Sequence, residues 1–250
     1  MTDDTRRYAV LGPLDVRVGT RRIEVPAGRQ RTLLATLLLN PNRVVSVDEI
    51  VDRVWGSKPP QRPRAALHTY VTRLRQTLDP MPKLETAAGG YLITTDAAEL
   101  DLLRFRELSA QAERADRCHD LDTESHLLDE ALGLWQGPVL SGVASDSLHR
   151  DVVPTLQEER LQVVERRNDV HIELGHHDDV VAELKALTGR HRYRERLWRQ
   201  LMLALYRGGR KVEALQAYGR LKNQLRNEFG VDPGVDLQQL HLAILRSEEP

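Results

Sequence analysis

The side chains of this chain best suited to chemistry gather on one stretch, residues 64–78, RAALHTYVTRLRQTL. Arg64, His68, Thr69, Thr72, Arg73 and Gln76 supply guanidinium, imidazole, hydroxyl and amide groups. Such groups hydrogen-bond base edges and phosphates. Leu67, Val71, Leu74 and Leu78 recur at i, i+4, i+7 and i+11, which makes one apolar stripe along a helix. At about 100° per residue, Thr72, Gln76 and Ala65 fall nearly opposite that stripe, flanked by His68, Thr69 and Arg73. The spacing predicts a helix with one buried face and one face turned to a nucleic-acid groove.

A helix of this kind needs a scaffold on both sides. Residues 8–14, 14–18 and 22–25 alternate apolar and polar around Gly12-Pro13 and Gly19, which predicts short antiparallel strands. Residues 29–40 carry Leu33, Leu34, Leu37 and Leu38 on a helical stripe that stops before Pro41. Val44 and Val45 suit a brief strand. Ser46 and Glu49 form S-x-x-E, a capping box, ahead of Ile50, Val51, Val54 and Trp55. Gly56, Ser57, Lys58, Pro59, Pro60, Gln61, Arg62 and Pro63 break that helix into a loop stiffened by its prolines. The basic helix follows and is expected to stop near Asp79-Pro80. Residues 84–87 and 91–94 flank Ala88-Gly89-Gly90, a hairpin signal. Helix, bend, helix, loop, basic helix and hairpin is the order of a winged helix-turn-helix. Trp55 packs at the end of its helix, with its N–H within reach of a phosphate, and Tyr70 borders the apolar stripe.

Beyond a linker at 96–100 the period changes and stays helical. Residues 102–115, 124–135, 154–174, 179–190, 194–206, 212–229 and 237–245 read as amphipathic helices. Gly175 and Gly209 lie 34 residues apart, and DDVVAELKAL after the first matches VEALQAYGRL after the second. That is the tetratricopeptide period. The expected architecture is an α+β winged-helix domain over residues 1–97 and an all-α, tetratricopeptide-like domain over 98–250.

Charge divides the same way. Residues 1–97 hold 15 Lys and Arg against 10 Asp and Glu, and residues 98–250 hold 21 against 27, so a basic front of +5 precedes an acidic rear of −6. No run approaches the 18 apolar residues of a membrane span. The N-terminus MTDDTRRYAV lacks an apolar core, so no secretory signal is expected, and the one cysteine, Cys118, fits a reducing cytoplasm. His176-His177-Asp178-Asp179 sits in a turn after Gly175, where adjacent histidines do not converge on one ion. Phosphate-loop, dinucleotide, nucleophile-elbow and zinc-protease motifs are missing. No catalytic site, metal or cofactor is expected.

Val47 through Gly56 (VDEIVDRVWG), Leu67 through Arg75, and Gly89-Gly90-Tyr91 resemble the OmpR-type winged helix. With Asp101 to Phe105, Glu130 to Gly137, Arg194 to Glu213 and Glu228 to Pro233 (EFGVDP), the whole chain resembles the SARP family, the Streptomyces antibiotic regulatory proteins, in which a bacterial transcriptional activation domain follows the winged helix. The resemblance implies an activator of a secondary-metabolite gene cluster. It would bind double-stranded promoter DNA at direct repeats near the −35 element, self-associate there, and contact RNA polymerase holoenzyme including its sigma factor. Arg64 to Arg75 would be the recognition helix. Trp55 and the loop Gly56, Ser57, Lys58, Pro59, Pro60, Gln61 and Arg62 would lie toward polymerase, and residues 84–94, with Tyr91, would form the wing near the minor groove. Related wings often place a basic residue after Gly-Tyr; here Leu92 follows, and Glu85 is acidic. Arg29, Arg31 and Arg43 would then supply more of the phosphate attraction. The nucleotide-binding ATPase module of larger relatives is not found in these residues. A winged-helix repressor and a peptide-binding tetratricopeptide scaffold remain the rival readings.

Overall fold

The structure, a computed structural model, describes residues 6–78 and 83–248. The stop expected at Asp79-Pro80 and the start of the N-terminal segment lie outside them. Three strands, β1 (Arg6–Ala9), β2 (Asp15–Val18) and β3 (Arg21–Arg22), form an antiparallel sheet in that order. Helices α1 (Arg29–Leu38), α2 (Val47–Trp55) and α3 (Pro63–Thr77) follow. Strand β4 (Val45–Ser46) precedes α2, and the hairpin β5 (Leu84–Ala87) and β6 (Gly90–Ile93) follows α3; the sheet order is β4-β6-β5. This is a winged helix-turn-helix. Helices α4 (Asp101–Arg117), α5 (Leu121–Gly133), α6 (Asp146–Asp151), α7 (Val153–Glu173), α8 (His177–Arg190), α9 (Glu195–Arg207), α10 (Lys211–Phe229) and α11 (Val235–Arg246) complete the chain.

Packing divides the chain into two compact units. One unit takes the residues up to Arg114 together with Asp129–Leu161; the other takes Ala115–Leu128 and the residues from Gln162 onward. Long-range bonds within the first unit explain why it extends past the winged helix. The Asp101 carboxylate accepts from the backbone N–H groups of Val10 (2.9 Å) and Leu11 (2.9 Å). Tyr8 N–H donates to the Glu99 carbonyl at 2.6 Å, so the expected linker is pinned beside β1. These bonds also end β1 at Ala9, where alternation had suggested a strand to residue 14. Burial pushes the Asp101 carboxyl up to about 6, against the pull of its backbone N–H partners.

Helix α1 is buried nearly all round. Leu33, Leu34, Leu37 and Leu38 are joined inside by Gln30, Thr32, Ala35 and Thr36. It packs on α2, α3 and β6, and the Thr32 hydroxyl donates to the Ala144 carbonyl at 3.3 Å. Helix α2 starts as the capping box requires, with Glu49 N–H donating to Ser46 Oγ at 3.1 Å. Its last turn is braced by α6: Arg53 donates to the Ser147 carbonyl (3.0 Å) and to Asp151 (2.6 Å), and Ser145 Oγ donates to the Arg53 carbonyl (2.7 Å). Helix α6 was not anticipated. At six residues it is too short for periodicity, although Ser145-Asp146 is a helix-start pair.

In the second unit α8 packs on α9, α9 on α10 and α10 on α11. The 34-residue repeat reaches the backbone. His176 N–H donates to the His171 carbonyl (2.8 Å) and Gly175 N–H to Ile172 (3.3 Å); 34 residues on, Arg210 N–H donates to Leu205 (2.7 Å) and Gly209 N–H to Tyr206 (3.0 Å). Both glycines hold positive φ, 84° and 75°, which closes each helix with the same left-handed cap. Buried carboxylates fix the neighbouring helices: Glu124 takes the Arg166 guanidinium, and Glu165 takes Arg194. Helix α8 begins at His177, two residues earlier than expected. Among the described residues no group of three or more His, Cys, Asp or Glu is placed to hold a metal ion, and no helix is long and apolar enough to cross a membrane.

Candidate nucleic-acid interface

Helix α3 is two-sided. Leu67, Val71, Leu74 and, just beyond its end, Leu78 are buried, while Arg64, Ala65, His68, Thr69, Thr72, Arg73 and Gln76 are exposed. Pro63 opens the helix at a position whose N–H would be unpaired in any case. The Arg64 side chain is 80% exposed, with only a loose approach to the equally exposed Asp48 at 3.7 Å. The hydroxyls of Thr69, Thr72 and Thr77 donate back to the carbonyls of Ala65 (3.1 Å), His68 (3.0 Å) and Arg73 (3.0 Å). Near its start, Asp48, Val51, Arg62, Pro63, Arg64 and Ala65 line a shallow groove of about 440 Å³.

Arg75 faces the other way. Its Nε donates to the Leu84 carbonyl (3.0 Å) and its Nη2 to Thr86 Oγ1 (2.9 Å), which straps α3 to the wing. The wing itself is anchored from behind. Asn42, at φ 62°, donates through Nδ2 to the Thr95 carbonyl (2.8 Å) and accepts from Thr95 N–H (2.9 Å). Gly90 is required by close approach: a Cβ there would stand 2.0 Å from the Val45 carbonyl oxygen. Neither Arg75 nor Asn42 was singled out by sequence, because each is defined by a partner on another element.

Two of the three expected phosphate-binding arginines are open to solvent. Arg29 is exposed and seated, its guanidinium 5.8 Å from the Trp55 ring centre and its Nη1 3.5 Å from the Tyr70 hydroxyl. Arg43 is exposed on the loop before β4. Arg31 is a correction: it is half-buried, and its Nη2 donates to the Leu14 carbonyl at 2.7 Å, so it ties α1 to the N-terminal sheet. Trp55 is a second. Its ring packs edge-on against Tyr70 with centroids 5.9 Å apart, the packing role expected first, and its Nε1 is buried rather than turned outward. Tyr91 is a third: at 8% exposed, paired across β4 and β5, it belongs to the core. The wing is as poor in cations as its sequence suggested, since Lys83 is held by Glu99 at 2.7 Å and Glu85 is exposed. The loop residues Gly56, Ser57, Lys58, Pro59, Gln61 and Arg62 are exposed, with Pro60 half-buried.

The arrangement therefore offers a cationic, hydrogen-bonding helix face on a rigid support. Comparison with known proteins identifies its family. The "Transcriptional regulatory protein, C terminal" family matches residues 24–93, and the "Bacterial transcriptional activator domain" family matches residues 100–245. The chain is 40% identical to the regulatory protein AfsR of Streptomyces griseus over 99% of its own length, and spans about a quarter of that protein (25%). It is 35% identical to the regulatory protein DnrI of Streptomyces peucetius, covering 96% of this chain and 92% of that one. Among solved structures, Mycobacterium tuberculosis EmbR in complex with a low affinity phosphopeptide superposes with a TM-score of 0.93 at 34% identity, covering 98% of this chain and 66% of that one. The winged helix, the helical domain that follows it in sequence and these relatives together place the chain in the SARP family of transcriptional regulators.

Proposed function

We propose that this protein activates transcription of a secondary-metabolite gene cluster from double-stranded promoter DNA. The observation that carries this reading is the bare face of α3, with Arg64 and Arg73 exposed on a helix whose opposite side is fully buried. The α3 face enters the major groove, and Arg64, Arg73, Arg29 and Arg43 hold phosphates. Copies bound side by side on direct repeats near the −35 element present the loop 56–62 to RNA polymerase holoenzyme. Joint contact with DNA and polymerase raises promoter occupancy through effective concentration. The protein works in the cytoplasm, needs no cofactor, and carries out no catalysis.

Footprinting on DNA upstream of neighbouring genes, followed by transcription with purified holoenzyme, tests this. The expected outcome is protection of tandem short repeats abutting −35 and increased transcript. Protection overlapping the start site with reduced transcript would mean a repressor. Lys58→Ala and Gln61→Ala should leave the footprint intact and lower the transcript; equal loss of both would make the loop a structural or DNA-facing element.

A further inference from the structure

We infer that the centre of the α3 face reads A·T base pairs, through threonine methyls and one glutamine amide, with its cations set to the sides. The inference rests on the duplex-binding reading above and specifies which bases that face accepts. At about 100° per residue, Thr69, Gln76 and Ala65 lie closest to the line opposite the buried stripe Leu67, Val71, Leu74 and Leu78, which corrects the sequence-based placement of Thr72 there: Thr72 stands about 50° to one side and Thr69 takes the centre. None of the three carries a charge. Thr72 and Arg73 stand on opposite shoulders of that line, and His68 and Arg64 lie further round. Ala65 to Gln76 spans about 16 Å of helix at 1.5 Å per residue, enough to lie along several base pairs.

The threonine hydroxyls decide the chemistry. Those of Thr69 and Thr72 have their protons committed to the carbonyls of Ala65 and His68. What they keep for a ligand is a lone pair and a γ-methyl. In the major groove an A·T pair presents the adenine N6 donor and, past the thymine O4, the C5-methyl, so the lone pair and methyl of such a threonine each have a partner on the one pair. A G·C pair offers a donor on cytosine but no methyl. Gln76 is exposed, its side chain forms no hydrogen bond among the described residues, and its amide matches adenine N6 and N7 in bidentate fashion. Ala65 adds an apolar contact suited to a thymine methyl. Guanine, which arginine reads best, has no partner at the centre of the face.

The test uses the full chain and a random-sequence duplex pool, from which its preferred duplex is selected and sequenced. That duplex is then made with deoxyuridine in place of thymidine, which removes the C5-methyl and leaves pairing intact. Affinity should fall about fourfold for each methyl contacted, the value of one buried carbon. Thr69→Ser and Thr72→Ser keep the hydroxyl and lose the methyl, so each should bind the two duplexes more nearly alike. Gln76→Ala should lose preference for adenine at one position by about tenfold. Selection of G·C pairs at the steps under the helix, or equal binding of both duplexes by the unmodified chain, would overturn the inference and leave DNA binding standing. A pool that does not enrich, with binding indifferent to salt, would overturn the duplex-binding reading itself and the inference with it.

Discussion

Helix α3 and the wing beside it handle their polar side chains in opposite ways. On α3, Arg64, Arg73, His68 and Gln76 stand free of strong partners within the protein. On the wing, Lys83 is closed off by Glu99, Thr86 receives Arg75, and Tyr91 is buried. Unpaired exposed cations are where an incoming polyanion gains most, because no internal bond has to break first. The difference teaches that this winged helix leaves its free polar groups on one helix and ties the hairpin to that helix through Arg75; on the reading proposed above, the DNA-facing chemistry is then that of α3. A wing that contacted the minor groove on its own would need cations that these residues lack.

The comparison breaks first if α3 is not two-sided. Leu74→Ala should cost about 2–5 kcal/mol of folding stability, as expected for a fully buried leucine. Gln76→Ala, two residues on, should stay within about 0.5 kcal/mol. Urea unfolding of both variants settles it, and similar losses would show that both faces are packed. The contrast between tied and free groups extends to Asp101, a carboxylate held by the backbone N–H groups of Val10 and Leu11. Its folded pKa of about 6 lies above the ordinary 3.8. The stability it contributes is therefore fully present below pH 3.8 and is lost as pH rises through 6. Raising pH from 4 to 7 should lower stability by up to about 3 kcal/mol through this group, a slope that Asp101→Asn removes. Parallel pH curves for the two proteins would mean that solvent reaches the carboxylate.

These examples also show what could be read without coordinates. The stripe Leu67, Val71, Leu74 and Leu78, the Ser46–Glu49 cap, the turn at Gly89 and the like turns at Gly175 and Gly209 all depend on neighbours within a few turns of chain, and the fold bears each of them out. What escaped depends on distant chain. Arg31, Trp55 and Tyr91 have residue types that suit phosphate or groove contact. Their burial is set by Leu14, by Tyr70 and by the β4 and β5 strands, partners that no local period announces. Helix α6 and its bonds to Arg53, more than 90 residues away, were hidden for the same reason. Of the candidate interface, the exposure of the outer face of α3 was legible, its centre line was not, and neither were the supports that hold the helix.

The remaining predictions compare one charge on each element. Arg73→Ala should weaken duplex binding about tenfold and lower the salt slope by about one unit, as loss of one phosphate contact requires. A tenfold loss with an unchanged slope would instead place Arg73 on a base. On the wing the informative change is an addition. Glu85 is exposed and lies opposite Leu92 in the hairpin register, the position where related wings often place a cation. Glu85→Lys replaces a repulsion with an attraction at the edge of the duplex, and it leaves the bonds of Arg75 to Leu84 and Thr86 untouched. If the wing rests near the backbone without gripping it, affinity should rise severalfold at low salt and the salt slope should steepen by up to about one unit. The preferred sequence should not change, since a phosphate contact carries no base information. A rise confined to one sequence would mean the hairpin already reads bases. No change at any salt concentration would mean it stands farther than about 10 Å from the DNA, beyond the reach of a screened charge.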